Sequence, residues 1–252
     1  MKTAAVVVSH GNAEDVDRLL PVLVDQFDEV VVIANVPGSV GLVPDGVTLI
    51  ANRSPLGFGA NVNLGVRTTT AELVCSVNPD AIPRHGAVGE LRRFLEAHPQ
   101  AGVAGPAMVY PDGTLQPSRR RFPTVIGTLV RRTPLRLVLD PYKLQRRHYN
   151  LGDQPDAPVE ADWMLAGFLM YRRRMYDALG GFDEGFFLYG EDIDLCYRAW
   201  RAGWSCWYVP AAVVVHEHQA VTDRRLFTRR TLWHWRGILR FVRKHPERLR
   251  AL

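Results

Sequence analysis

The stretch AAVVVS, residues 4–9, consists of small and β-branched residues and lacks the polar alternation of a half-exposed strand. Such a run predicts a strand buried on both faces, as in the centre of a parallel sheet. Similar runs alternate with segments whose apolar residues have helical spacing, which predicts an α/β fold with a doubly wound, mostly parallel sheet. Further strands are predicted at 30–34, 47–51, 73–77 and 102–107, and helices at 14–27, 57–70 and 89–97.

The alternation of strand and helix ends after residue 110. Residues 111–160 are rich in proline and arginine, have no clean period, and are predicted to form an irregular flap. The prediction is one domain over residues 1–222, followed by a basic amphipathic helical tail over residues 223–252. Within the rest of the domain, ordered structure is predicted to return at 162–171, followed by a helix at 191–202 and by a last strand made of 204–210 and 213–216.

The composition of the 252-residue chain, 47% hydrophobic and 23% charged, is typical of a soluble domain with a sizeable core. No stretch reaches the roughly 18 uninterrupted apolar residues of a transmembrane helix. The N-terminal apolar run is followed by acids and by no cleavage pattern, so we expect no signal peptide. Cys75, Cys196 and Cys206 are widely spaced, and we expect reduced thiols in a cytoplasmic protein.

The net charge of +5 is unevenly distributed along the chain. From residue 223 onward, ten Arg and Lys residues accompany two acids, with tryptophans and aliphatic residues between them, and SRRRF at residues 118–122 is a second basic run. Nucleic acid, an anionic membrane and a phosphate-bearing substrate would all be attracted by such segments. For the tail, both membrane docking and ordinary packing on the sheet remain open.

Three carboxylates, Glu191, Asp192 and Asp194, lie within four residues of the stretch FLYGEDIDLCYRAW, residues 187–200. Acids in a first helical turn complement the helix dipole, which explains one or two of them. That interpretation does not explain the aromatic residues and the glycine, FLYG, that precede the acids. The cluster is therefore also a candidate for acid–base chemistry.

Polar residues follow the predicted strands at the sheet edge where open parallel sheets bind ligands. Ser9 follows the first strand, Asn35 the second and Asn78 the fourth. The loop GFGANVN, residues 57–63, resembles a phosphate-approach loop but matches neither the Walker pattern nor GxGxxG. A plain strand-to-helix turn is the alternative interpretation of that loop.

Asp80 and two histidines are the candidate metal ligands. A carboxylate fixed by Pro79 just after a buried strand can bind a divalent cation that also contacts a diphosphate, although a turn former is the alternative. His216 and His218 end the last predicted strand, and one of them beside Asp80 would suit Mn²⁺ or Mg²⁺. A closed zinc site would need further ligands.

The motifs VVVSH, GFGANVN, NPD, DWMLAG, GGFDEGFFLYGEDIDLCYRAWRAGW and VVVH occur in the order seen in family 2 inverting glycosyltransferases. Together they resemble the rhamnosyltransferase-like branch of that family over residues 4–220, and the block at 180–204 is their most specific part. The resemblance implies the GT-A fold, a Rossmann-like sheet that binds a nucleotide-sugar through a divalent cation, Mn²⁺ or Mg²⁺.

The resemblance also implies residue roles. Asp192 would be the catalytic base with Glu191 as its neighbour, and Asp80 and His216 would hold the metal. Predicted nucleotide-sugar contacts, including the strand-end residues above, are Ser9, Asn35, Gly59, Asn63 and Asn78. Predicted acceptor-side residues are Trp163, Gly167 and Asp194.

The expected function is inverting transfer of a sugar from a dTDP- or UDP-sugar to a glycan or polyprenyl-diphosphate-linked acceptor, peripherally at the cytoplasmic face of a membrane. Rhamnose as the sugar follows from the resemblance alone. A nucleotidyltransferase would need a basic glycine-rich signature after the first strand, which SHGNAEDVD lacks. A non-catalytic nucleotide-sugar or nucleic-acid binder would leave Asp80 and the Glu191–Asp192 pair unused, so nucleic acid is not the expected partner.

Overall fold

The structure, a computed structural model, describes residues 1–123, 146, 148–150, 152–217 and 229–249. Residues 124–145, 147 and 151 of the predicted flap lie outside the described residues, as do His218 and the predicted domain boundary at residue 222. Across these ranges, no helix combines the length and the apolar character needed to cross a membrane.

The described elements follow the predicted alternation. The strands are β1 (Thr3–Ser9), β2 (Glu29–Ala34), β3 (Val47–Ala51), β4 (Leu73–Val77), β5 (Ala81–Pro83), β6 (Ala101–Val109), β7 (Arg119–Arg120), β8 (Val159–Glu160), β9 (Trp163–Met164), β10 (Phe168–Arg172) and β11 (Ser205–His216). The helices are α1 (Ala13–Gln26), α2 (Phe58–Arg67), α3 (Ala87–Ala97), α4 (Arg173–Ala178), α5 (Glu191–Arg201) and α6 (Arg229–Lys244), which a 3₁₀ helix follows (Pro246–Leu249).

One large sheet organises the molecule, with strand order β3-β2-β1-β4-β10-β6-β11-β5 and β8 paired to β11. The strands from β3 to β4 are parallel, as are β6 and β11. Apolar side chains of β1 alternate between two cores: Ala5 and Val7 face the core that α1 and α3 cover, and Ala4 and Val6 face the core that α2 and α5 cover. The predicted doubly wound, mostly parallel α/β sheet is therefore confirmed, because β1 is buried on both faces.

Two elements, β10 and β5, differ from the sequence prediction. β10 is antiparallel to both of its neighbours, β4 and β6, and so interrupts the parallel sheet. The predicted last strand is present as one element, β11, with a register shift between Val209 and Val213. β5 follows directly after the NPD turn and pairs with the end of β11, which brings Ala81 opposite His216.

The helix α6 of the basic tail packs against the beginning of α5. Phe241 is 5% exposed and its ring lies 5.8 Å from that of Tyr197. Gly237 has no room for a side chain, because an added Cβ would collide with the backbone carbonyl of Tyr189. Part of the tail is therefore packed on the domain, as one of the two interpretations of the sequence expected, and the boundary at residue 222 stays a prediction.

Candidate active site

The acid cluster begins α5. Gly190, at φ +98°, precedes the helix, and Tyr189, at φ +70°, also has a left-handed backbone. This conformation, which glycine adopts without strain, turns the chain so that three acids occupy the first turn of α5. The backbone dipoles of the helix stabilise negative charge at that end.

Asp192 is partly buried and faces the loop between β9 and β10. Its Oδ1 accepts the backbone N–H of Ile193 at 2.9 Å. Burial raises the pKa of Asp192, while the backbone N–H groups of Ile193 and Ala166 and the positive charge of Arg120 oppose the rise. A carboxylate in these surroundings is closer to the pKa that a general base needs at neutral pH.

Glu191, the neighbour of Asp192, is buried, and its Oε2 accepts no hydrogen bond from any described residue. Burial, together with the negative charge of Asp192, raises the pKa of Glu191 to about 8. The two carboxylates therefore titrate as a coupled pair that retains a proton at neutral pH, because both charges together would be costly in this environment.

Asp194 has a different environment from the other two acids. Its carboxylate is fully buried and bonds three basic side chains: Arg198 Nε at 2.7 Å, Lys244 Nζ at 2.9 Å and His245 Nε2 at 2.8 Å. The expected contact with an acceptor is not supported, because the carboxylate is inaccessible and already bonded to side chains of α5 and the tail.

Asp80 and His216, the predicted metal ligands, lie together at the carboxyl edge of the sheet. Their Oδ1 and Nε2 atoms are 3.4 Å apart. Gln116 fixes the histidine: its Nε2 donates to the backbone carbonyl of His216 at 2.6 Å, and its Oε1 lies 2.9 Å from His216 Nδ1. Because an amide oxygen only accepts, Nδ1 carries the proton, and in neutral His216 the lone pair belongs to Nε2, on the side of Asp80.

This arrangement fits a divalent cation that shares its coordination with a bound donor. A carboxylate oxygen and an imidazole nitrogen are two suitable ligands. Within the described ranges, no three His, Cys, Asp or Glu side chains come close enough to hold a metal ion by themselves. Asp80 and His216 would therefore need ligands from the donor diphosphate or from water.

The segment Ala166–Gly167 joins the acid cluster to the NPD turn. The backbone N–H of its first residue lowers the pKa of Asp192, and its second residue accepts the backbone N–H of Asn78 at 2.7 Å. Ser76 Oγ holds the carbonyl of Ala166 at 2.8 Å. These contacts depend on the antiparallel pairing of β10 with β4. The pairing brings the Asp192 region and the Asp80–His216 pair to the same edge of the sheet.

Trp163 is buried at the end of this loop, where its Nε1 donates to the carbonyl of Arg121 at 2.8 Å. The guanidinium of Arg120 lies 5.2 Å from the Trp163 ring centre and 4.8 Å from that of Tyr149. Trp163 thus packs against Arg120, whose positive charge lowers the pKa of Asp192. The acceptor-side roles of Trp163 and Gly167 stay predictions.

The nucleotide-side candidates mostly make hydrogen bonds within the protein. The Ser9 hydroxyl is buried and donates to the carbonyl of Ser39. Asn35 Oδ1 accepts the backbone N–H of Leu56 at 2.8 Å and the amide of Asn52 at 2.9 Å. These bonds shape the chain that enters the GFGANVN loop.

Asn63 and Gly59 connect α2 to the turn before α5. Asn63 Nδ2 donates to Phe182 O and to Glu184 Oε1, both at 2.9 Å, and its Oδ1 accepts the Tyr176 hydroxyl at 2.6 Å and the Phe182 N–H at 2.9 Å. A Cβ at Gly59 would lie 2.8 Å from the Cβ of Phe182. Both residues therefore hold the scaffold of the site, and their contacts with a nucleotide stay predictions.

The sequence interpretation missed Gln116 and the role of Arg120. Gln116 lies in a segment without a period, where no pattern distinguishes it from other polar residues. Arg120 belongs to the basic run at 118–122, so its charge was noticed, but its position beside Asp192 depends on the pairing of β7 with β9.

A family model described as Glycosyltransferase like family 2 matches residues 4–234. This chain belongs to that family. Over 195 residues the chain is 33% identical to the N-acetylglucosaminyl-diphospho-decaprenol L-rhamnosyltransferase of Mycobacterium tuberculosis, a match that covers 71% of this chain and 61% of the relative. It is 26% identical to the rhamnosyltransferase WbbL of Escherichia coli, covering 94% of this chain and 91% of the relative.

A solved structure has a similar fold. The crystal structure of GalNAc-T7 with UDP, GalNAc and Mn²⁺ superposes with a TM-score of 0.67 at 14% identity, covering 96% of this chain and 48% of that protein. The likeness confirms the expected GT-A fold.

Proposed function

We propose that this protein is a metal-dependent inverting glycosyltransferase that uses a dTDP- or UDP-sugar, with rhamnose as the sugar that its relatives favour. One observation carries the proposal. The backbone N–H of Ala166 lowers the pKa of Asp192, and the next residue, Gly167, accepts the N–H of Asn78 in the NPD turn, next to the Asp80–His216 pair. A carboxylate of raised pKa and a pair of metal ligands at one sheet edge are the groups that such a transfer needs.

Asp192 is the proposed base. Its carboxylate would accept the proton of the acceptor hydroxyl while the hydroxyl oxygen bonds to the anomeric carbon of the sugar. The bond from that carbon to the donor diphosphate breaks on the opposite side, so the configuration inverts. Ala166 orients the carboxylate, and Glu191, which keeps a proton at neutral pH, adds no second charge that would compete for the same hydroxyl.

Asp80 and His216 are the proposed ligands of Mn²⁺ or Mg²⁺. When bound, the cation supplies positive charge to the diphosphate as it leaves. Gln116 sets the tautomer that points the Nε2 lone pair of His216 towards the side of Asp80. A hydrogen bond of this kind increases the basicity of a ligating histidine and fixes its orientation.

The proposed acceptor is a glycan on a polyprenyl diphosphate. The mycobacterial relative is named for an acceptor of this class, and the chain spans 61% of that relative's length. The positive charge of Arg120, which acts on Asp192, would favour an acceptor that carries phosphate.

We further propose that the exposed face of α6 lies on an anionic membrane surface. Leu232 and Leu239 are 53% and 49% exposed, and Arg236 and Arg243 are exposed on the same face at helical spacing. Leucine and arginine on one exposed face are typical of an interfacial helix.

Flotation with phosphatidylglycerol vesicles tests this face. The fraction of protein that floats should fall for the double variant Leu232→Ser/Leu239→Ser and stay unchanged for Leu42→Ser, a control at a 94% exposed leucine. Equal flotation of all three proteins would contradict the docking face.

Transfer is tested with a panel of sugar nucleotides: dTDP-rhamnose, UDP-glucose, UDP-galactose and GDP-mannose. Each is incubated with the protein, Mn²⁺ or Mg²⁺, and N-acetylglucosaminyl diphosphate lipids. We expect a glycosylated product of inverted configuration, read by NMR, which chelation of the metal abolishes. RNA binding without binding of any sugar nucleotide would contradict the enzyme and favour the binding-protein alternative.

A further inference from the structure

A cavity of about 300 Å³ lies between the chain before α5 and the helix α6. Its walls are mostly apolar and come from Phe186, Phe187, Leu188 and Trp233, with Arg236 as the charged residue. The rings of Phe187 and Trp233 are 4.9 Å apart, and Phe187 is 44% exposed. An exposed aromatic wall of this kind is a candidate contact surface for an apolar ligand.

Arg236 differs from its cationic neighbours on α6. Arg240 and Lys244 are paired with Asp183 at 2.7 and 2.8 Å. Arg236 has no ion pair with a described carboxylate, and its side chain is exposed beside the cavity. The cavity thus combines an apolar wall with a guanidinium that has no protein counter-charge in the described part of the chain, which is complementary to an amphiphile with an anionic group.

The position of the cavity relates it to the proposed site. Leu188 precedes Asp192 by four residues, and the Phe187 carbonyl accepts the backbone N–H of Phe58, at the start of α2, at 3.0 Å. On the other side, Gly237 of α6 packs on the carbonyl of Tyr189. The cavity therefore adjoins the first turn of α5, on the side of α6.

We propose that this cavity binds the isoprenoid diphosphate portion of the acceptor, with the first isoprene units on Phe187 and Trp233 and a phosphate on Arg236. The assignment rests on the proposed lipid-linked acceptor. Inorganic diphosphate would use the guanidinium and leave the aromatic wall in water, whereas a prenyl alcohol would use the wall and leave the guanidinium unpaired. A prenyl diphosphate satisfies both.

Binding is tested on the full chain by calorimetry with farnesyl diphosphate, inorganic diphosphate and farnesol. The wild type should bind farnesyl diphosphate about tenfold or more tightly than inorganic diphosphate. Trp233→Ala should remove most of this advantage, and Arg236→Gln should weaken both diphosphates. Arg93→Gln, at an exposed arginine of α3 that does not line the cavity, is the control and should change neither.

Equal affinity of the wild type for the two diphosphates, or an equal loss in Arg93→Gln and Arg236→Gln, would overturn the assignment. Arg236→Gln replaces an exposed side chain, so it remains informative if Trp233→Ala does not fold. Because the measurement needs no sugar transfer, a failed transfer panel with intact farnesyl diphosphate binding would contradict the proposed function alone. If acceptors that carry an ethyl diphosphate and a farnesyl diphosphate were glycosylated with equal kcat/KM, the assignment of the cavity alone would be contradicted.

Discussion

Two groups of residues were candidates for the site: the acids at the start of α5, and the asparagines Asn35 and Asn63. They differ in how far their polar atoms are already hydrogen-bonded within the protein. Asn35 and Asn63 make their hydrogen bonds to the protein, and their effect is to hold turns in place. Glu191 keeps a buried oxygen that accepts no hydrogen bond from described residues, and Asp192 has a raised pKa. The difference separates residues that build a site from residues that have capacity left for chemistry.

The largest effect should come from Asp192→Asn, which keeps the shape and removes the base. We expect turnover to fall by roughly two to four powers of ten with donor affinity nearly unchanged. Single-turnover kinetics and donor titration measure the two quantities. Wild-type turnover in this variant would assign the base to another residue, with Glu191 next to be examined.

Asn63→Ala tests the other side of the comparison. The substitution leaves the Tyr176 hydroxyl and the Phe182 N–H without their acceptor, so the free energy of unfolding should fall by about 2–4 kcal/mol. Urea denaturation measures this, with Asn12→Ala at an exposed asparagine as the control. A variant of wild-type stability that no longer binds donor would show that Asn63 contacts the nucleotide.

Gln116→Leu should weaken Mn²⁺ binding roughly 10- to 100-fold, because His216 loses the partner that fixes its tautomer. Gln116→Glu keeps an acceptor for Nδ1 and should lose less. Calorimetry with Mn²⁺ and donor gives the affinities, and Gln154→Leu, at an exposed glutamine, is the control. Unchanged Mn²⁺ affinity in Gln116→Leu would show that Gln116 has no part in metal binding.

Arg120→Gln should produce the smallest effect, a shift in pH dependence. The positive charge of Arg120 lowers the pKa of Asp192, so its removal lets that pKa rise further. Since the base must be ionised, activity lost on acidification should be lost at a higher pH than in the wild type. Profiles of kcat/KM against pH measure the shift, and Arg121→Gln, an exposed neighbour, should leave the profile in place. A shift to lower pH would contradict the assignment.

The sheet could be predicted because runs such as AAVVVS report burial on both faces without reference to the rest of the chain. The insertion of β10 could not, because a short apolar strand has no mark of its direction. The three acids of α5 look alike in sequence, yet Asp194 differs from Asp192 through Lys244 and His245, which lie some fifty positions later. Gln116 and Arg120 acquire their positions from pairing between distant segments, and local periodicity contains no information on such pairing.

The long separation between Asp194 and the tail has a consequence for the order of events during synthesis. Asp194 and His245 are 51 residues apart, and their bond requires the later residue to have left the ribosome. Until then Asp194 has Arg198 alone among these three basic partners, and the first turn of α5 lacks the covering of α6. The sheet strands β1 to β4 are translated early, whereas the partners of Asp194 and the covering of the first turn of α5 are completed near the end of translation. A nascent chain would therefore have most of its sheet before the helix that carries its proposed base is fully covered.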